Sequence, residues 1–203
     1  PGEGQGHVRL DCFGNWLLLT VEFSAPEPQM PELILGGPAP AKGGPFRRIG
    51  ASLFRAGYLP TSDAREVVFR VRHPRVPDFE QRIHVFQRGA ATDTVDLDGV
   101  RLHVQSESPY GVLFARGEAL ERRLSTSIPI IGHPFQIWPE ASPIDAPIDL
   151  AFPLPDGLED VRRVHVYRKS SSGWSRLATE RRPDALAVSG RSFGMFAMME
   201  DTA

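Results

Sequence analysis

Six histidines are the side chains of this sequence best suited to hold a metal: His7, His73, His84, His103, His133 and His165. Two histidines at i and i+2 of a strand point to one face and reach one ion, but no two of the six stand two residues apart. They read as strand histidines facing solvent. Asp93, Asp96, Asp98 and Gly99 suggest an oxygen-ligand loop. A calcium loop of the EF-hand type needs an acid at its first position and a glutamate at its last, where Thr94 and Gln105 stand. Asp98-Gly99 therefore reads as a tight turn. Cys12 falls in an alternating strand pattern and reads as a small core residue. The serines are given no nucleophilic role, and no glycine-rich phosphate loop follows a strand and opens a helix. The expectation is a chain without enzymatic activity, without a metal and without a cofactor.

Aromatic rings are the remaining candidates. Trp16, Trp138, Trp174, Tyr58, Tyr110 and Tyr167 could supply a platform on which sugars stack, as in carbohydrate-binding β-sandwiches. Trp16 and Trp174 adjoin turns, where a ring can stay partly exposed with its N–H in water. The competing expectation is that these rings pack on the core or cover its edges. Trp16, Trp174 and Tyr167 are the ligand-binding candidates.

The elements that must position these residues are strands. Apolar residues make up 41% and charged residues 24% of the 203, the profile of a globular chain long enough for one large domain or two small ones. A net charge of −2 gives no reason to expect nucleic acid or an anionic membrane as partner. No apolar run approaches the roughly 20 residues of a membrane-spanning helix. The single cysteine excludes an internal disulfide, which fits either the cytoplasm or a bacterial envelope protein that relies on its core. The chain opens on Pro1 and enters strand-like sequence at once, so it reads as the C-terminal piece of a longer protein.

Residues 7–23 alternate Val8, Leu10 and Cys12 against His7, Arg9 and Asp11, turn at Gly14-Asn15, and alternate again through Leu17, Leu19, Val21 and Phe23. This predicts a hairpin. Residues 24–46 are rich in proline and glycine around Leu33-Ile34-Leu35 and read as a linker or an extended edge strand. Three strand candidates come next: Ile49 to Phe54, Glu66 to Arg72 and Arg82 to Gln87. Val100, Leu102 and Val104 alternate after the Asp98-Gly99 turn, and Val112 to Ala115 makes another strand. Residues 117–124 carry helix-forming types, at most two turns, too short to stand alone. Ile128 to Trp138 is apolar but cut by Pro129, Gly132 and Pro134, so it predicts one bent strand or two.

The C-terminal block organises the rest. Ile148, Leu150 and Phe152 share one face, Pro153 to Gly157 stop that strand, and Val164 to Tyr167 make the next. Ser170 to Gly173 is a polar turn before Trp174, and Met195 to Met199 is apolar on both faces, as a covered central strand should be. The fold class is all-β: an antiparallel β-sandwich, as one large module or two small immunoglobulin-like ones. The expected division is 1–24 as the last hairpin of a preceding immunoglobulin-like domain, 25–92 as a linker and small β-module, and 93–203 as the C-terminal sandwich.

The succession of an apolar strand, Pro153-Leu154-Pro155-Asp156-Gly157, Val166-Tyr167-Arg168, a polar turn, Gly173-Trp174 and Phe193-Gly194 to Asp201 carries a resemblance. It resembles the C-terminal β-modules of bacterial lysostaphin-type zinc metallopeptidases over roughly residues 95–203, and is distantly similar to the sandwich modules of ankyrins and netrin receptors. Asp11, Gly14 and Asn15 similarly match the last hairpin of bacterial immunoglobulin-like repeats, with Arg9 at the usual alanine. The resemblance implies a secreted, periplasmic or cell-envelope protein. It also implies a non-catalytic role: positioning or docking a hydrolase domain upstream of Pro1, whose His-x-His zinc element is absent here. The alternative expectation is a carbohydrate- or peptidoglycan-binding module working through its tryptophans.

Overall fold

A computed structural model of the chain describes residues 5–36, 42–61, 64–87, 93–104, 112–121, 124, 126–140, 143–158 and 160–201. Among these the only helical element is a single 3₁₀ turn, Val161–Arg163; the regular structure is otherwise antiparallel strand, and the sheets pack as sandwich layers. The chain divides into two compact units, Pro1–Gln87 with Tyr110–Phe114, and Arg88–Pro109 with Ala115–Ala203.

In the first unit, β1 (Gly6–Phe13), β2 (Trp16–Phe23), β6 (Leu53–Leu59) and β4 (Lys42–Gly43) lie side by side, and β5 (Arg47–Gly50) also pairs with β6. The facing sheet holds β3 (Glu32–Gly36), β7 (Glu66–Arg72) and β8 (Phe79–Gln87), with the first residues of β11 (Val112–Ala119) beside β8. The predicted hairpin forms about a two-residue turn, with Phe13 opposite Trp16 and Gly14 at φ +56°. Glycine at the first turn position with positive φ is the type II′ geometry that matches strand twist. The hairpin is an integral part of the first unit's sheet: β2 pairs with β6 from Leu17 opposite Tyr58 to Glu22 opposite Leu53.

Alternation decides which face of these strands is core. Leu17, Leu19 and Val21 are fully buried, as are Phe54 on β6 and Phe69 on β7. Each large apolar side chain buried in this way contributes about 1.5–3 kcal/mol. Tyr58 meets Phe69 edge-on across the two sheets, with ring centroids 5.2 Å apart. The proline-rich stretch after β2 is fastened rather than loose at its start. Glu27 is buried, its carboxylate accepts from the Gln29 N–H at 2.9 Å and pairs with Arg75, and its backbone N–H donates to the Ala51 carbonyl at 2.9 Å. The Gln29 N–H first, and then the Arg75 and His73 charges, hold the Glu27 carboxyl below its ordinary range against the opposing effect of burial.

In the second unit one sheet runs β16 (Glu180–Arg181), β17 (Ala185–Ser192), β13 (Pro143–Pro153), β10 (Val100–Val104), β9 (Asp93–Leu97). The other runs β15 (Gly173–Arg176), β14 (Val164–Ser170), β18 (Gly194–Glu200), β12 (Ile130–Trp138) and the end of β11. Phe152 on β13 joins the layers, 6.3 Å from Phe135 and 5.8 Å from Phe196 between centroids. The final strand is covered on both faces as its composition predicts: Phe196, Ala197, Met198 and Met199 are all buried. Of the run Ile128 to Trp138, Ile130–Trp138 forms one bent strand, its register against β18 shifting between Ile131 and Phe135, with Gly132 at φ +70°. The helix-like residues at 117–119 instead extend β11, where Gly117 pairs with Ile137. A Cβ at Gly117 would lie 2.5 Å from Phe135 Cζ and 2.6 Å from Leu97 Cβ, so close packing fixes this residue and overrides local propensity.

A candidate binding surface on the first unit

The outward face of β2 is set by the same alternation that buries Leu17 and Leu19. Trp16, Leu18 and Thr20 point the other way, and register places Leu18 opposite Gly57 of β6. Gly57 has no side chain to raise there: a Cβ would lie 3.5 Å from Trp16 Cε3 and 3.5 Å from Leu18 Cδ2. The result is a groove of about 540 Å³ with Gly57 and Arg55 of β6 along its middle, Trp16 and Leu18 of β2 on one side, and Arg47 and Ile49 of β5 with Gly44 and Pro45 on the other. Trp16 is 45% exposed, and Ile49 at 56% and Phe13 at 77% are also among the most exposed large apolar residues. Phe13 is the cross-strand partner of Trp16 at the end of the hairpin.

The other two aromatic candidates lie on the second unit and are held differently. Tyr167 is only 6% exposed and its hydroxyl donates to the Asp201 carboxylate. Burial first, and then Asp201, push its phenol pKa up. A ring so covered offers no face to a sugar, so its expected place in a stacking platform is corrected to a packing and hydrogen-bonding role. Trp174 is half-buried against Tyr167, Ala197 and Met199, and the Lys169 ammonium stands 5.9 Å from its ring centroid. The structure thus brings Trp174 and Tyr167 together, but as core edge. Asp201 also accepts from Arg176 at 2.8 Å and lies 3.8 Å from His165. Burial, with the Arg176 and Arg181 charges, lowers the His165 pKa despite Asp201.

The residues weighed for chemistry fall into ordinary roles. Asp98 and Gly99 form the turn between β9 and β10 with φ of +54° and +93°, and the Asp96 carboxylate accepts the Gly99 N–H at 2.7 Å. His7 is followed four residues on by Asp11, a spacing that metal sites use, but Asp11 accepts from Arg9 at 2.8 Å. Among the described residues no group of three His, Cys, Asp or Glu side chains converges. Burial, and then Asp11, push the Cys12 thiol up, which holds it protonated. His103 bonds Thr94 Oγ1 through Nδ1 at 2.9 Å, and Ser189 donates to Asp149, which stands opposite His103. These four form a polar row across adjacent strands.

The dismissal of the serines is corrected at one point: Gly190-Arg191-Ser192-Phe193-Gly194 does have the Gly-x-Ser-x-Gly spacing of nucleophile elbows. That motif works on a strand-to-helix turn. Here it joins β17 to β18, strand to strand, and Arg168 donates to the Phe193 carbonyl at 2.9 Å. Sequence reasoning also missed Arg47 and Arg55, because nothing in the linear order says that β5 and β6 set them opposite each other. No family model, no curated protein and no solved structure matches this chain.

Proposed function

We propose that the chain is a non-catalytic accessory β-sandwich region of a secreted or envelope cell-wall peptidase-like protein. It docks the hydrolase domain upstream of it onto peptidoglycan through the outer face of β2, β5 and β6. The observation that carries this reading is Trp16, a half-exposed indole beside a groove whose floor is a glycine. A pyranose laid on an indole removes apolar C–H surface from water while its hydroxyls stay wet, which is why exposed aromatic rings serve glycan recognition. The apolar neighbours Phe13 and Ile49 support the same reading, since clustered exposed apolar residues mark interaction sites. The peptidase kinship and the immunoglobulin-like character of the units rest on the motif order of residues 148–201 and on Asp11, Gly14 and Asn15.

The experiment is co-sedimentation with purified peptidoglycan sacculi, following turbidity in the same tube. Pelleting of the protein without clearing of the suspension is expected. Clearing would contradict the non-catalytic reading, and absence of pelleting would contradict docking.

A further inference from the structure

We infer that the glycan bound on this face carries carboxylates, and that Arg47 and Arg55 are the residues that receive them; this rests on the docking reading above. Arg47 and Arg55 are direct register partners across β5 and β6, and both line the groove beside Trp16. Like charges set opposite each other on neighbouring strands destabilise a sheet unless something neutralises them. Four other arginines of this unit have that partner. Arg9 pairs with Asp11 at 2.8 Å, Arg70 with Glu80 at 2.6 Å, Arg75 with Glu27, and Arg82 with Glu66 at 3.6 Å. Arg48, the next residue of β5, spends its guanidinium on the carbonyls of Glu27 at 2.7 Å and Pro28 at 2.8 Å.

Arg47 and Arg55 differ. Among the described residues no carboxylate pairs with either, and Arg55 makes one long bond, its Nε donating to the neutral Thr20 Oγ1 at 3.4 Å. Two cations with no carboxylate partner among the described residues therefore line the same groove as an indole and a leucine. A guanidinium presents a planar fork of donors that matches a carboxylate bidentately. The complementary ligand is a pyranose chain with carboxylates beside the sugar that stacks, the chemistry that peptidoglycan stem peptides provide along its glycan strands. The ring sets position and the two arginines select charge.

The test compares pelleting on native sacculi with pelleting on sacculi whose carboxylates have been converted to amides, for the wild-type chain and for the double substitution R47Q/R55Q. Both positions are exposed and the substitutions remove an opposed like-charge pair, so the variant should melt no lower than wild type. Wild type is expected to bind native sacculi at least about tenfold more tightly than amidated sacculi, the effect of losing one charge-assisted contact. The variant is expected to bind both equally, near the lower level. Equal binding of wild type to native and amidated sacculi, or wild-type affinity in the variant, would overturn this inference and leave the docking reading standing. Failure of wild type to bind native sacculi at all would overturn both.

Discussion

Gly57 matters because of what it leaves empty. Its strand position needs no positive φ, so a larger residue is tolerated by the backbone; the space above it is the groove. Gly57→Leu is expected to preserve the fold, with a melting temperature within a few degrees of wild type, and to abolish glycan binding by filling the floor between Trp16 and Leu18. Retained binding in a folded Gly57→Leu protein would place the ligand elsewhere. The polar network at the end of β18 has a pH signature. His165 is buried among Arg176, Arg181 and Asp201 and its pKa is lowered from the ordinary value of about 6.5. Near and below that pH the unfolded chain takes up a proton that the folded chain resists, so stability falls as pH drops through this region. Urea midpoints at pH 7.5 and 5.5 are expected to fall more for wild type than for His165→Gln. An equal fall would mean that His165 is not a source of the acid sensitivity.

Elements were legible where a turn demanded a particular residue and alternation was clean. Gly14 and Asp98-Gly99 supply positive φ, and β7 begins and ends where its Val67, Phe69 and Val71 pattern predicts. Gly132 marks the bend of β12 in the same way. The sequence misled where packing overrode propensity. Residues 117–124 carry helix-forming types, yet 117–119 pair with β12 because Gly117 lets Phe135 and Leu97 close over the strand. Gly117→Ala is therefore expected to destabilise the fold by about 1–3 kcal/mol through overpacking, read as a lower urea midpoint. An unchanged midpoint would mean that the neighbouring rings move aside freely. Residues 24–46 read as a linker or an extended edge strand, and β3 within them does lie at a sheet edge, but the contacts that hold Glu27 come from residues far along the chain, Arg75 and Ala51.

At the scale of the whole chain, an all-β sandwich is what the recurrent short alternating runs require, and two such units are what 203 residues accommodate. Strand order was not legible. That β2 adjoins β6, or that β3 adjoins β7, depends on long-range pairing which no local pattern records. The candidate surface was half legible for the same reason. Trp16 announces itself beside a turn, whereas Gly57, Arg47 and Arg55 become parts of one groove only when β5, β6 and β2 are laid together.

The proposed docking face stands or falls with Trp16 as its anchor. The direct measurement is the affinity of Trp16→Ala for sacculi beside that of Trp174→Ala, with melting temperatures taken for both. Trp16→Ala is expected to stay folded and to lose about tenfold or more in affinity, in line with about 1.4 kcal/mol per factor of ten, while Trp174→Ala binds as wild type. Wild-type affinity in a folded Trp16→Ala protein would contradict it.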